Sequence, residues 1–220
     1  MRVITGSAKG FGLKAPRHIG LRPTPSRVKE ALFSSLASRI RGARVLELFA
    51  GTGAFSIEAL SQGAASAILV EKDWRTATLI EENLKKTYLQ DKAQLLRMDV
   101  CQALERLQRD GARFDLIFAD PPYFKKAPRS CGNVKKTERF RTRKDFTLGT
   151  VSLPPFFSWL TFLLHSSVLA NVLAPEGILL IEYFKKETDL ESPYFTLCSQ
   201  GRSRFQFGDT VVSIFVHRED

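Results

Sequence analysis

The sequence of 220 residues contains only three cysteines and three histidines, and their positions argue against a metal centre. Cys101, Cys131 and Cys198 are odd in number, lie far apart and lack the paired spacing of zinc ligands. They also indicate no disulfide framework, which fits a reducing cytoplasm. The histidines form no constellation with other titratable residues. We therefore expect a protein that needs no bound metal.

A signal peptide and an uninterrupted transmembrane run are also missing. The N-terminal residues have no apolar core long enough for export, which predicts a cytoplasmic location. Residues 151–173 are largely apolar and about long enough to span a bilayer, but two prolines, a histidine and an asparagine interrupt them. We predict a buried helix from about Phe156 to Ala174 and no contact with a membrane. A membrane span is the less favoured alternative.

Positive charge is concentrated in two segments of the chain. The formal net charge is +10 and the sequence pI is about 9.7. Residues 1–41 contain nine Lys or Arg against one acid, and residues 122–146 contain nine against two, which leaves the remainder net negative. Phosphate contacts gain free energy by releasing condensed counterions, so this pattern favours a nucleic-acid partner. A solvated tail and loop is the alternative interpretation.

Apolar runs alternate with helical patterns through the body of the chain, and 44% hydrophobic content suits one compact domain. Such alternation predicts an α/β fold in which helices cover both faces of a mostly parallel sheet. Ligands bind beyond the carboxyl ends of the strands in that architecture. The predicted strands are Arg44–Phe49, Ala67–Glu71, Gln94–Met98, Phe114–Ala119, Gly177–Tyr183, Tyr194–Cys198 and Thr210–His217.

A glycine turn, Ala50–Gly53, follows the first core strand. A dinucleotide fingerprint would have a third glycine where Ser56 stands, and the Gly-Lys-Ser/Thr of a phosphate loop is missing too. Glu47, just before the turn, would repel a pyrophosphate but attract a cationic ammonium group. Glu71 and Asp99 end the next two strands, where they suit a ribose and an adenine amine. Although Glu71 alone could be an ordinary strand end, the three acids together predict one nucleoside ligand.

The segment Asp120-Pro-Pro-Tyr123 ends the fourth strand. Two consecutive prolines make a stiff loop, which would hold the Asp120 carboxylate and the Pro121 carbonyl in place. These oxygens could accept the protons of an exocyclic base amine and aim its lone pair at a methyl group. Tyr123 could stack on a base that has left its helix or loop. A simple strand-ending turn is the less favoured alternative.

Taken together, the chain resembles the RsmD family of bacterial small-subunit ribosomal RNA guanine-N2 methyltransferases over nearly its whole length. The glycine and proline motifs occur in many methyltransferases, whereas the first and last of the matching segments are more specific to the family. The matching segments are Arg22-Pro-Thr24, Arg27-Val-Lys-Glu-Ala-Leu-Phe33, Leu48-Phe-Ala-Gly-Thr-Gly-Ala54, Glu58-Ala-Leu60, Val70-Glu-Lys-Asp73, Asp115-Leu-Ile-Phe-Ala-Asp-Pro-Pro-Tyr123 and Phe207-Gly-Asp-Thr210.

The resemblance implies a Rossmann-like, seven-stranded class I methyltransferase sheet with a basic β-hairpin extension. The extension would be residues 1–21 and the methyltransferase domain residues 22–220, with a basic loop inserted at about 125–150. The implied cofactor is S-adenosylmethionine, and the implied partner of a monomeric enzyme is small-subunit ribosomal RNA, free or in a partly assembled subunit. The implied cofactor-binding residues are Glu47, Phe49, Ala50, Gly51, Thr52, Gly53, Glu71, Lys72, Asp99 and Val100. The implied catalytic residues are Asp120, Pro121, Pro122 and Tyr123, and the implied RNA contacts are Arg2, Lys9, Arg22, Arg27, Lys125, Lys126 and Arg129.

The sequence departs from the family pattern in regions that concern RNA rather than methyl transfer. Gly6-Ser7 and Lys9-Gly-Phe11 stand where the family has Gly-Gly and Arg-Gly-Arg, Ser26 replaces an aspartate, and the basic stretch after Tyr123 is longer. An adenine-N6 methyltransferase acting on DNA or RNA would use a similar Asp-Pro-Pro-Tyr loop and stays an alternative. A nicotinamide-dependent oxidoreductase and a non-catalytic RNA-binding module are less favoured.

Overall fold

The computed structural model describes residues 1–15, 26–122, 158–187 and 190–218, except for the side chains of residues 26–28. Several residues singled out from the sequence therefore lie outside the described part of the chain. They are Arg22, Tyr123, Lys125, Lys126, Arg129 and the side chain of Arg27.

One mixed sheet forms the centre of the fold. Its strands are β1 (Arg44–Leu48), β2 (Ser66–Val70), β3 (Ala93–Leu96), β4 (Phe114–Ala119), β5 (Leu173–Phe184), β6 (Phe195–Leu197), β7 (Arg204–Phe207) and β8 (Thr210–His217). They lie in the order β3-β2-β1-β4-β5-β8-β6, with β7 also paired to β8. The first five are parallel, whereas β8 is antiparallel to β5. Because β6 and β7 pair with opposite ends of β8, the eight strands fill seven positions, and the predicted mostly parallel α/β sheet is confirmed.

Helices pack on both faces of the sheet. They are α1 (Ser26–Ile40), α2 (Ala54–Ser61), α3 (Trp74–Lys86), α4 (Val100–Arg109), α5 (Trp159–Leu164) and α6 (Ser167–Val172), with a short 3-10 helix at Gln90–Lys92. Side chains alternate between the faces along each strand. Val45 of β1 packs in the cluster that contains α1 and α2 residues, whereas Leu46 and Leu48 pack with α4, α5 and α6.

The helix expected from about Phe156 to Ala174 is wrong in extent. The described part contains two short helices, and β5 already begins at Leu173. The interruption has a local cause, because the Ser166 hydroxyl accepts a hydrogen bond from the Leu169 amide and thereby starts a new helix. Among the described residues, no helix is sufficiently long and apolar to cross a membrane.

Residues 1–15 form a docked segment, which we call the N-terminal segment. Its two halves meet at an isolated antiparallel bridge between Arg2 and Gly12, so the described residues do not show the strands of the predicted hairpin. Val3, Ala8 and Leu13 of the segment are buried in the main core. The segment is therefore packed against the body of the domain.

Among the described cysteines, Cys198 has a free thiol. Among the described residues, no cluster of His, Cys, Asp and Glu could hold a metal ion.

Candidate active site

The described residues among those predicted to bind a cofactor and a base lie at one edge of the sheet, at the carboxyl ends of its parallel strands. In the parallel register Leu48 of β1 lies beside Val70 of β2 on one side and Ala119 of β4 on the other, and Val70 lies beside Leu96 of β3. The glycine turn, Glu71, Asp99 and Asp120 all follow these strand ends. Parallel pairing therefore brings together residues that are up to 73 positions apart, from Glu47 to Asp120.

The glycine turn has a backbone that few residue types can adopt. Gly51 and Gly53 have positive φ angles of 54° and 72°, and Phe49 has a positive φ of 57° despite its side chain. A Cβ atom at Gly53 would lie only 3.0 Å from Leu69 and 3.3 Å from Ile80. Glycine is thus required at position 53 for both conformation and space. The strained Phe49 packs its ring edge-on against Trp159, with the ring centroids 4.7 Å apart.

Glu47 is almost fully buried, and its carboxylate caps α2. It accepts hydrogen bonds from the backbone amides of Phe55 at 3.3 Å and Ser56 at 2.9 Å. Burial raises its pKa to about 7, against the opposing effects of the Ser56 and Phe55 hydrogen bonds and the charge of Lys29. Glu47 therefore links β1 to the helix after the glycine turn, which is a structural role that the sequence did not indicate. The predicted contact between Glu47 and a cofactor ammonium group stays a prediction.

Glu71 connects the glycine turn to the neighbouring strand. One carboxylate oxygen accepts a hydrogen bond from the Gly51 amide at 3.0 Å, and the other accepts one from the Asp73 amide at 2.9 Å. Asp73 in turn caps α3 by accepting from Thr76, and these hydrogen bonds lower the Asp73 pKa. Glu71, which directly follows β2, thus stabilises the turn between β1 and α2.

Asp99 and Lys72 form an ion pair beside this point. The Lys72 ammonium lies 3.5 Å from one Asp99 oxygen, and the other Asp99 oxygen caps α4 by accepting from the Cys101 amide at 3.0 Å. Val100, the first residue of α4, is buried. Both Asp99 and Glu71 are partly exposed at the strand ends, where a ligand could reach them.

Asp120 lies at the end of β4 and is followed by Pro121 and Pro122. Alternation along the strands places Asp120, Glu47 and Glu182 on the same face of the sheet, and the pairing of Ala119 with Ile181 brings Asp120 next to Glu182. Burial and the negative charges of Glu182 and Glu47 raise the pKa of Asp120 well above its ordinary value. This carboxyl therefore lies near two other acids, Glu47 and Glu182, at the carboxyl ends of the central strands.

Sequence reasoning missed Glu182 and Asn83. Glu182 is 5% exposed, and an acid near the end of an otherwise apolar strand was the available signal. Asn83 is fully buried in α3 and donates a hydrogen bond to the Thr52 carbonyl of the glycine turn. A single asparagine within an amphipathic helix does not indicate that its side chain is buried or which backbone groups it contacts.

The predicted RNA contacts that the structure describes belong to the N-terminal segment. Arg2 and Lys9 are both exposed, and the Arg2 carbonyl accepts a hydrogen bond from Lys29 at 3.2 Å. The segment is anchored beneath them by Glu58, which accepts from the Ile4 and Thr5 amides, each at 2.9 Å. Two positive charges are thus presented on a fixed backbone.

The order of the strands and the turn at the carboxyl edge place the chain in the Rossmann-like fold of known methyltransferase structures. A candidate methyltransferase of Escherichia coli superposes with a TM-score of 0.71 at 26% identity, covering 100% of this chain and 98% of that one. A second candidate methyltransferase, SMU.776, solved in complex with SAH, has a TM-score of 0.59 at 17% identity and covers 85% of this chain and 48% of that one. The second likeness concerns the fold alone.

The family model described as "Conserved hypothetical protein 95" matches residues 1–145, and the chain belongs to this family. A candidate rRNA methyltransferase of Bacillus subtilis (strain 168), YlbH, is 42% identical over 123 residues, which are 56% of this chain and 67% of that protein. "Ribosomal RNA small subunit methyltransferase D" of Escherichia coli (strain K12) is 39% identical over 123 residues, so the match spans 56% of this chain and 60% of the relative. The family resemblance drawn from the motifs is thereby confirmed.

Proposed function

We propose that the protein transfers a methyl group from S-adenosylmethionine to the exocyclic N2 amine of a guanine in small-subunit ribosomal RNA. The observation that carries this proposal is the placement of the Asp120-Pro121-Pro122 turn directly beside the glycine turn, at the ends of the neighbouring strands β1 and β4. A donor and an acceptor that occupied these two turns would face each other. The relatives named as rRNA methyltransferases support the choice of RNA as the acceptor.

The chemistry of the strand ends fits S-adenosylmethionine better than a phosphorylated cofactor. Glu71, Asp99 and Asp120 surround the turn, whereas Lys72 is already paired with Asp99. Such an acidic edge would repel a pyrophosphate and attract a cationic ligand. Glu71 and Asp99 would hold the ribose and adenine groups, and the open backbone at Gly51 would lie against the ligand. When bound, the cofactor supplies an already activated methyl group.

Asp120 would then orient the target amine. An exocyclic amine is a poor nucleophile because its lone pair is delocalised into the ring. The Asp120 carboxylate and the Pro121 carbonyl would accept the two N–H groups and direct the lone pair out of the ring plane. Such positioning can lower a barrier by up to roughly 7–11 kcal/mol in ideal cases. Tyr123, which lies outside the described residues, would stack on the base.

The two basic segments would supply the RNA-binding surface. The N-terminal segment offers Arg2 and Lys9, and the family pattern adds Arg22, Arg27, Lys125, Lys126 and Arg129. The bound RNA would be free or in a partly assembled subunit, and the enzyme would act as a cytoplasmic monomer. The hairpin extension and the inserted loop at about 125–150 remain part of this proposal.

The experiment compares methyl incorporation into stripped small-subunit RNA, assembled subunits and duplex DNA, followed by mapping of the modified nucleotide. For Asp120→Ala we expect loss of most turnover while S-adenosylmethionine binding, measured by calorimetry, stays nearly intact. Asp110→Ala, at the end of α4 and on an exposed surface, is the control for removal of an aspartate. Methylation of adenine or of DNA would contradict the proposed specificity, and equal loss of binding and turnover would assign Asp120 another role.

A further inference from the structure

Asn83 of α3 joins two parts of the molecule that are distant in sequence. Its side-chain amide donates to the Thr52 carbonyl and to the Lys14 carbonyl, each at 3.0 Å, and its oxygen accepts from the Lys14 amide at 2.8 Å. The residue is fully buried. An uncharged planar amide that donates twice and accepts once satisfies all three backbone groups. A buried side chain with this set of partners fixes the relative position of Lys14 and Thr52.

The two partners belong to the two surfaces that the proposed reaction uses. Lys14 lies at the end of the N-terminal segment, which carries Arg2 and Lys9 on its exposed side. Thr52 is the central residue of the glycine turn, and its hydroxyl also lies 3.7 Å from the Met1 sulfur. Met1 of the N-terminal segment therefore contacts the glycine turn directly, whereas Lys14 is connected to it through Asn83.

Neither partner can shift easily by itself. The glycine turn is confined by the close packing of Gly53 on Ile80, which precedes Asn83 by one turn of α3. In the middle of the N-terminal segment, where its two halves join, the Ser7 amide donates to the Ser61 carbonyl at 2.9 Å and the Ala8 amide donates to the Ser61 hydroxyl at 2.9 Å. A displacement of the Lys14 backbone should therefore displace the Thr52 carbonyl as well, because the contacts around Asn83 leave little room for independent movement.

We propose that Asn83 is a positioning residue that couples RNA binding at the N-terminal segment to binding of the methyl donor at the glycine turn. This inference rests on the proposed function. RNA that binds the segment shifts the Lys14 backbone, and Asn83 passes this shift to the Thr52 carbonyl. By linkage, each ligand must change the affinity for the other by the same factor, and we expect an increase.

The test measures the dissociation constant of S-adenosylhomocysteine by calorimetry, with and without transcribed small-subunit ribosomal RNA. For the wild-type chain we expect RNA to tighten this binding about 5-fold or more, as in typical coupled sites. For Asn83→Ala we expect this ratio to fall to about 1, while S-adenosylhomocysteine still binds. Circular dichroism establishes that the variant is folded, and Asn83→Ser, judged by the same ratio, replaces it if it is not.

Ser61→Ala is the matched control. It removes two hydrogen bonds to the same segment, from Ala8 and to Thr5, at the end remote from the glycine turn. We expect this variant to keep the wild-type ratio. A wild-type ratio near 1, an unchanged ratio in the Asn83 variant, or equal loss in both variants would overturn the inference. If the wild-type chain binds no S-adenosylhomocysteine, the proposed function itself is wrong.

Discussion

Replacing Glu47 with glutamine tests the account of this buried carboxyl. Its pKa rises from an ordinary value of 4.5 to about 7 in the folded protein, so the folded state holds the proton more tightly than the unfolded state. Stability is therefore lost as the pH rises from 4.5 to 7. At about 1.36 kcal/mol per pH unit, this one group lowers the free energy of unfolding by about 3 kcal/mol across that interval.

Glu47→Gln removes the titration and keeps one acceptor oxygen, for the Ser56 amide, whereas the Phe55 amide loses its acceptor at every pH. We expect the difference in the free energy of unfolding, variant minus wild type, to increase by about 3 kcal/mol from pH 4.5 to pH 8, because only the wild type loses stability over this range. The assay is urea unfolding at several pH values, followed by circular dichroism. Glu105→Gln, on the exposed surface of α4, controls for the loss of one negative charge. Parallel curves for wild type and Glu47→Gln would refute the reasoning.

Three further predictions concern the site and its surroundings. Glu182→Gln removes a negative charge that raises the pKa of Asp120. The acid limb of the pH profile of methyl transfer should therefore move to lower pH, and an unmoved limb would contradict the electrostatic interaction between Glu182 and Asp120. Gly6→Ala and Gly10→Ala both place a side chain at positive φ, but only Gly6→Ala sets a Cβ 1.9 Å from a carbonyl oxygen of α2. Thermal melts should show a loss of about 1 kcal/mol in the free energy of unfolding for Gly10→Ala and a larger loss for Gly6→Ala. Equal losses would argue against the packing of the N-terminal segment on α2. Deletion of residues 125–144 should weaken RNA binding and flatten its salt dependence, whereas an unchanged slope would exclude phosphate contacts there.

The central strands could be predicted because burial on both faces requires continuous apolar runs. Phe114–Ala119 has the predicted bounds, β1 ends one residue earlier than predicted, and both ends of β2 lie one residue before their predicted positions. The strand β7 was missed because Arg204–Phe207 is only four residues long, although its polar and apolar residues alternate as in a strand. Its place is decided by pairing with β8, which is a tertiary interaction.

The placement of the candidate residues at adjacent strand ends could be predicted from the sequence, but their contacts with one another could not. Strand-ending acids follow from the parallel architecture, and the register brings Glu71 and Asp120 to one edge. The hydrogen bonds of Glu47 to α2 depend on how the glycine turn folds back over the strand, which spacing does not specify. The same holds for Asn83, whose three partners come from two other segments of the chain.

The strands that carry the two candidate turns, β1 and β4, lie in the interior of the sheet, each with a hydrogen-bonded neighbour on both sides. Their amide protons cannot meet solvent by fraying of an edge and should exchange only when the whole domain unfolds. Hydrogen exchange should therefore find the slowest amides of the protein within these two strands, immediately before the turns that would hold the donor and the acceptor.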